Sequence, residues 1–384
     1  MKLPATLTAL LLGSVARWIT PSIFQQFQGH DTVDEYTLCK NHPDQAKSIL
    51  QKHWQEWATQ DDFQKIYNAG FNAVRIPIGY WAFKKFDGDP YVEGAADYLD
   101  QAIGWARATK LKVVVDLHGA PGSQNGYDNS GHNGTVDWGD GSNIAYTRAV
   151  LQLIANKYAK QEYQDVVVGI ELLNEPLPTK IEGGTDPVVQ YYKDTYGVVR
   201  SVSDTPAVLH DAFQPGSFWH DILTPPDGQG VVIDHHEYQV FNDTQVLWSH
   251  DEHVGYVCSN ADTYVSNVNH WHIVGEWSAA MTDCAAALNG YGVGSRYEGN
   301  YITSQGSTGR SCGNINYIDQ WDDQLKKDTQ RYITAQLDVY TQRANGYFFW
   351  NFKTEGSPEW DLFRLLGAGV FPNLQNYQPS SVCS

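Results

Sequence analysis

Two stretches decide the fold: VVVGIELLNEP, residues 166–176, and WHIVGEWS, residues 271–278. Each is a short apolar run rich in β-branched residues that ends on a glutamate, Glu175 or Glu276, and then enters a loop. Runs of this length and composition read as buried strands. A parallel α/β barrel carries its catalytic groups at the C-terminal ends of its strands. Two carboxylates meeting there are the minimum apparatus for cleaving a glycosidic bond, one as acid/base and one as nucleophile or base.

Working outward, strand-like and helix-like runs alternate from residue 45. Strands are predicted at 73–78, 112–118, 166–173, 207–213, 231–238, 272–277 and 346–352. Helices are predicted at 44–69, 91–110, 144–160, 187–202 and 317–342, with a short one near 262–268 and a last one beginning at 362–366. Such alternation implies a parallel sheet. Seven strands are counted, whereas a closed barrel of this kind needs eight. The eighth must precede residue 45, and only residues 5–20 are apolar enough. The same N-terminal segment, MKLPATLTALLLGSVAR, has a lysine at position 2, a short apolar run and small residues around Ala16, as in a signal peptide. It has two candidate roles, a cleaved signal or the first strand itself. The predicted architecture is an α/β (β/α)8 barrel whose first strand is missing or replaced by the N-terminal apolar segment. Residues 1–16 form that segment and residues 17–384 a single catalytic domain.

The formal net charge is -18 and the pI about 5.0, with no basic run, which argues against a nucleic-acid partner. An anionic surface suits a neutral substrate and an extracellular setting. No other stretch is long and apolar enough to span a membrane. Aromatic residues reach 13%, including 13 Trp and 23 Tyr, which fits either a large core or a cleft whose rings stack on sugar faces. Of the five cysteines, Cys39, Cys258, Cys284, Cys312 and Cys383, none lies at metal-ligand spacing. Two disulfides with Cys39 free are expected of a secreted chain, and five thiols of a cytosolic one. Two N-x-S/T sequons occur, at Asn133 and Asn242.

By period two, Glu171, Leu173 and Glu175 share a strand face, with Glu171 deeper and structural and Glu175 at the mouth. Other polar and aromatic groups also fall at strand ends: Arg75, His118, His236, Tyr238 and Trp350. Each alone reads as an ion pair, a core histidine or a packing ring. Together they read as the lining of a cleft. In it Arg75 and the Tyr238 hydroxyl would favour an ionised Glu276, and Glu175 would stay protonated as the acid.

The motifs VRIPIGYWAF, DLHGAPGSQNGYDNSG, GIELLNEP, DHHEYQVF, VGEWSAA and FFWNFKTE resemble those of fungal exo-β-1,3-glucanases of glycoside hydrolase family 5. They recur in the family's order from about residue 18 to 372, and DEYTLC at 34–39 belongs to the same pattern. The resemblance implies a retaining double displacement with Glu276 as nucleophile and Glu175 as acid/base. It implies that Asn174 bonds the sugar 2-hydroxyl, that Arg75 and Tyr238 orient Glu276, and that His118 and His236 hold hydroxyls of the non-reducing-end glucose over Trp350. Tyr127 and Phe241 would clamp the next glucose beside Asp128 and Asn129. Cys258 would pair with Cys383 and Cys284 with Cys312. One departure stands out: the family's first strand, roughly Gly-Val-Asn-Leu-Gly-Gly-Trp followed by Leu-Glu-Pro, is absent here, together with its glutamate. An omitted exon would produce such a junction. The activity implied is release of glucose from the non-reducing end of β-1,3-glucans by a secreted or cell-wall enzyme, expected to be a monomer. A β-1,6-glucanase, a transglycosylase and an inactive glucan-binding wall protein remain alternatives. No metal or organic cofactor is needed, because side chains fill both catalytic roles. A glycan on Asn242 would crowd the cleft beside Phe241, which makes Asn133 the expected acceptor.

Overall fold

Seven parallel strands form where the β-branched runs lie: β2 (Ala73–Gly79), β3 (Lys112–Gly119), β4 (Val167–Glu171), β5 (Ala207–His210), β6 (Val231–Glu237), β7 (Trp271–Trp277) and β8 (Gly346–Phe349). The eighth is β1 (Leu7–Ala9), which pairs parallel with both β2 and β8 and closes the barrel in chain order. The structure is a computed structural model and describes residues 7–9, 20–27, 29, 31–263, 267–302, 304, 306–380 and 382–383. The N-terminal segment thus supplies the strand that the sequence lacked. Most of the predicted signal segment, residues 1–6 and 10–16, lies outside the described residues.

Inside the barrel the side chains stack in layers, as period two requires. The floor is apolar: Ala73, Val114, Val168, Val208, Val232, Ile273 and Phe348, one from each of β2 to β8, form one buried cluster. The next layer is polar, with Arg75, Asp116, His210 and Asp234 two residues further along their strands and all fully buried. Gly275 belongs to this layer for a steric reason. A Cβ there would meet the Asp234 carboxylate at 2.0 Å, and the Gly275 N–H instead donates to Asp234 Oδ1 at 2.6 Å.

Around the barrel run α1 (Pro21–Gln25), α2 (Glu35–Asn41), α3 (Pro43–Glu56), α4 (Gln60–Asn68), α5 (Ala95–Ala108), α6 (Asn143–Tyr158), α7 (Thr185–Arg200), α8 (His250–Ala261), α9 (Asp323–Arg343) and α10 (Leu362–Gly367). Their apolar faces pack on the outer strand faces in one cluster that extends from Ile23 to Leu374. The helix predicted over 44–69 is two helices. Thr59 caps α4 in a box with Asp62, each side chain accepting the other's backbone N–H, and this interrupts the run. The helix predicted near 262–268 falls partly on residues 264–266, outside those described; before it lies α8, which was not predicted and which Ser249 and Glu252 open with a capping box. Trp81, which follows β2, holds α2 against the barrel. It stacks on Tyr91 at 4.1 Å and donates its indole N–H to Glu35 Oε1 at 2.7 Å. A Cβ on Gly131 would meet that indole at 2.3 Å, and its φ of +92° is also one that L side chains avoid.

β4 is shorter than predicted and ends at Glu171. Leu173 packs in the outer cluster rather than sharing the face of Glu171. The chain turns there, and Glu175 adopts a left-handed φ of 42°. β5 likewise stops at His210, because Ala212 and Phe213 take φ values of 52° and 57°. Disulfides join Cys258 to Cys383 and Cys284 to Cys312, and Cys39 is buried and free. The second bridge closes the long loop between β7 and α9. Among the described residues no helix is long and apolar enough to cross a membrane.

Candidate active site

The C-terminal ends of the strands surround a cavity of about 540 Å³. Its lining includes Glu175, Glu276, His118, His236, Tyr238, Trp350, Tyr127, Phe241, Asp128 and Asn129. Arg75 and Asn174 lie just beneath it, fully buried. The residues predicted from the sequence are therefore brought together.

Arg75 organises the floor. Its Nε and Nη2 donate to the two Glu171 oxygens at 2.6 and 3.0 Å. Nη2 also donates to Asn174 Oδ1 at 2.7 Å, and Nη1 to Glu276 Oε1 at 2.8 Å. Asp116 lies at 3.1 Å and Asp234 at 3.8 Å. A guanidinium with planar, fixed donors is suited to hold so many acceptors. Burial nevertheless drives the Asp116 and Glu171 carboxyls above their ordinary values, because one cation cannot neutralise them all. Asn174, held by its oxygen, leaves Nδ2 buried with no hydrogen-bond partner among the described residues. His118 binds Asp116 through Nδ1 at 2.6 Å and lies parallel to Trp350 at 5.7 Å between centroids. Burial lowers its pKa to about 3, so the ring is neutral, and Nε2 is unpartnered among the described residues. Asn174 Nδ2 and His118 Nε2 are thus buried polar atoms left unpaired by the described residues.

Glu276 accepts from Arg75 on one oxygen and from the Tyr238 hydroxyl, at 2.9 Å, on the other. Glu175 contacts His236 Nδ1 at 2.7 Å and accepts from Asn129 Nδ2 at 3.2 Å. His236 Nδ1 also lies 3.6 Å from Glu276 Oε2, and its Nε2 lies 3.6 Å from Asp234. This arrangement reverses the expected order of the two carboxyls in the free protein. Burial opposes a charged His236, but Glu276 and Asp234 overcome it and hold the ring well above its ordinary value. Burial would also raise Glu175, yet the His236 hydrogen bond and charge bring it below its ordinary value. Burial raises Glu276, and His236 and Arg75 offset only part of that rise. The resting site therefore favours a charged His236 against Glu175. His236 Nδ1 is thus engaged by carboxylates, while its Nε2 has no hydrogen-bond partner among the described residues.

At the mouth Tyr127 and Phe241 are exposed, at 41% and 49%. Lys180 sits over the Tyr127 ring at 5.7 Å, and Tyr238 meets Phe241 edge-on at 5.7 Å. The sequence reading missed Phe213, Leu288, Asn289, Arg296, Tyr301 and Trp360, which also line the cavity. Four of them come from the bridged loop, which has no periodicity to mark an inward face. Arg296 fixes that loop: it stacks on Tyr301 at 3.7 Å, donates to Asn289 Oδ1 at 2.6 Å and pairs with Asp283 and Asp243 at 3.3 and 3.0 Å. The two sequons also exchange places. Asn133 lines the cavity, whereas Asn242 does not, and its Oδ1 accepts the Thr244 and Gln245 N–H groups. Two sets of three buried groups have cation-ligand spacing, Glu175 with His210 and His236, and Glu171 with Asp234 and His236. Arg75 occupies both Glu171 oxygens, and in the other set the Ala212 N–H occupies His210 Nδ1 and leaves Nε2 without a partner among the described residues.

Residues 39–305 match the family described as Cellulase (glycosyl hydrolase family 5). Glucan 1,3-beta-glucosidase I/II of Saccharomyces cerevisiae is 47% identical over 92% of this chain and 82% of its own length. Glucan 1,3-beta-glucosidase 2 of Wickerhamomyces anomalus is 47% identical over 93% of this chain and 84% of its own. Among solved structures, the rutinosidase of Aspergillus niger superposes with a TM-score of 0.74 at 19% identity, covering 95% of this chain and 97% of that one, a likeness of fold.

Proposed function

Because the chain belongs to glycosyl hydrolase family 5, we propose that it is a glucan 1,3-β-glucosidase that releases glucose from the non-reducing end of β-1,3-glucan with retention of configuration. The observation that carries the reaction type is the convergence of Glu175 and Glu276 on one nitrogen, His236 Nδ1, at 2.7 and 3.6 Å. The two legs together fall short of the roughly 6.5 Å at which inverting pairs begin. So close an approach of the two carboxylates supports a direct attack by one of them, as in retaining enzymes. The relatives' names carry the substrate class.

In this reading Glu276 is the nucleophile. Arg75 and Tyr238 fix its two oxygens and leave it aimed at the anomeric carbon. Glu175 gives a proton to the leaving glycosidic oxygen as that bond breaks, and a glucosyl ester forms on Glu276. Glu175 then takes a proton from water, whose oxygen displaces Glu276 and frees glucose. The proton needed for the first step is stored on the His236–Glu175 pair. Asn174 Nδ2 and His118 Nε2 are placed for sugar hydroxyls, Trp350 forms the apolar floor, and Tyr127 and Phe241 flank the leaving-group side beside Asp128 and Asn129. The reading takes residues 17–384, completed by β1 from the N-terminal segment as a substitute first strand, as one catalytic unit, supported by the continuous outer core. The two disulfides fit folding in an oxidising compartment, hence a secreted or wall-associated enzyme. The closure of the barrel by β1 argues against an inert wall protein.

The test is glucose release from laminarin by Glu276→Gln and Glu175→Gln, with anomeric configuration followed by NMR. Both variants are expected to lose turnover by several orders of magnitude, and β-glucose is expected as the first product. Near-full activity in either variant, or α-glucose first, overturns the assignment. Parallel assays on a β-1,6-glucan and at high acceptor concentration separate the alternative linkage and transglycosylation.

A further inference from the structure

The two sequons are not equivalent in space. Residues 133–135, Asn-Gly-Thr, are all exposed, and Asn133 stands on the cavity wall that also carries Tyr127, Asp128 and Asn129. Its backbone is fixed. The Asn133 N–H donates to Asp34 Oδ2 at 2.6 Å, and the next N–H, of Gly134, donates to Gly126 O at 2.9 Å. Asp34 is itself buried and caps α2, so the anchor is part of the scaffold. The Asn133 side chain is not consumed in holding this turn. An oligosaccharide attached there would rise from a rigid point on the rim of the cleft, on the side expected to receive the leaving end of a glucan.

We propose that Asn133 is an N-glycan acceptor and that its glycan limits which β-glucans enter the cavity, short chains passing and long or branched ones being held back. The inference rests on the secreted glucosidase reading above. The modification itself joins Asn133 Nδ2 to the anomeric carbon of a lipid-linked oligosaccharide diphosphate. The bond from that carbon to the diphosphate oxygen breaks, the diphosphate leaves with the electron pair, and the amide gives up one proton. The physical basis of the gate is exclusion. The glycan is bulky, hydrated and tethered beside the exposed clamp rings, so it competes for the volume a polymer must cross but not for the inner pocket beneath.

The experiment uses the full chain secreted from a fungal host. Peptide mass spectrometry reads occupancy at Asn133. kcat/KM is then measured on laminarin and on laminaribiose, for the native protein, for the same folded protein trimmed with an endoglycosidase, and for Thr135→Ala, which removes the sequon and leaves Asn133 in place. Occupied Asn133 and a several-fold rise in the laminarin-to-laminaribiose ratio on trimming and in Thr135→Ala are expected, with laminaribiose turnover unchanged. An unoccupied Asn133, or an occupied one whose removal leaves the ratio unchanged, overturns the proposal. Laminaribiose turnover reports separately on the hydrolase reading. Were it absent, the ratio is read from Kd for long and short glucan.

Discussion

His236 carries more of the site's chemistry than its position in the sequence indicates. It lies against both carboxylates proposed for catalysis, and its surroundings favour its protonated form well above the ordinary histidine value. The acid step needs that proton, so activity should persist through neutral pH and fall only as pH rises through the raised value. Replacing His236 with Gln removes the second proton site and leaves Glu175, governed by burial, to hold the proton alone. The basic limb of kcat/KM is then expected at lower pH than in the native enzyme, with a loss at the optimum within the 10²–10⁴-fold range typical of acid–base catalysis. A pH–rate profile checks this, and an unmoved basic limb would argue that Glu175 keeps its proton without help. Glu175, Glu276, Arg75 and Trp350 were legible in the sequence because each ends or enters a recognisable strand. The order of the two carboxyl pKa values was not, because it depends on a contact between β6 and the turn after β4 that no local pattern encodes.

Among the elements, strands were read more reliably than helices. β-branched runs mark a buried strand whatever surrounds them. Where helices begin and end depends on single capping residues, and the boxes at Thr59 and Ser249 were overlooked although both were present in the sequence. The bridged loop after β7 carries no pattern that marks it as a wall of the cavity, since its geometry is set by Arg296 and by Glu359. Glu359 is buried, accepts from Met281 N–H at 3.1 Å and from the Thr282 hydroxyl at 2.6 Å, and so ties the root of that loop to the segment before α10. Burial lifts its carboxyl from 4.5 to about 7, with Thr282 and Met281 opposing. The folded state keeps a proton there that the unfolded chain releases, so stability is lost as pH rises from 4.5 toward 7. Glu359→Gln keeps an acceptor and a donor in place without ionising. It is expected to match the native protein near pH 4 and exceed it above pH 7, by up to about 3 kcal/mol. Thermal melts at the two pH values measure the difference, and equal losses at both would show that the hydrogen bonds, not the charge, decide.

On the scale of the whole molecule, the count of seven strands was sound and the search for an eighth among residues 5–20 pointed to the right place. What the sequence could not show is how short the substitute is. β1 pairs with β2 through three residues and with β8 through two, while β2 and β3 pair through seven. A barrel is a ring, and two of its joins, β1–β8 and β4–β5, are only two residues deep; of the four strands β1 is the shortest, so its joins are expected to open first. One of the three β1 residues, Ala9, is registered on Arg75, whose side chain holds Glu276 in place. On warming, the join should part before the rest of the sheet, and Arg75 should lose its alignment while most of the ellipticity remains. Activity is therefore expected to disappear several degrees below the main unfolding transition, and hydrogen exchange to be fastest at the β2 and β8 edges that face β1. Coincident loss of activity and ellipticity would show the ring failing everywhere at once. The joint beside Arg75 is then a thermal fuse: the temperature at which activity fails is set by a three-residue strand, while the packing of the outer helices still holds the chain folded.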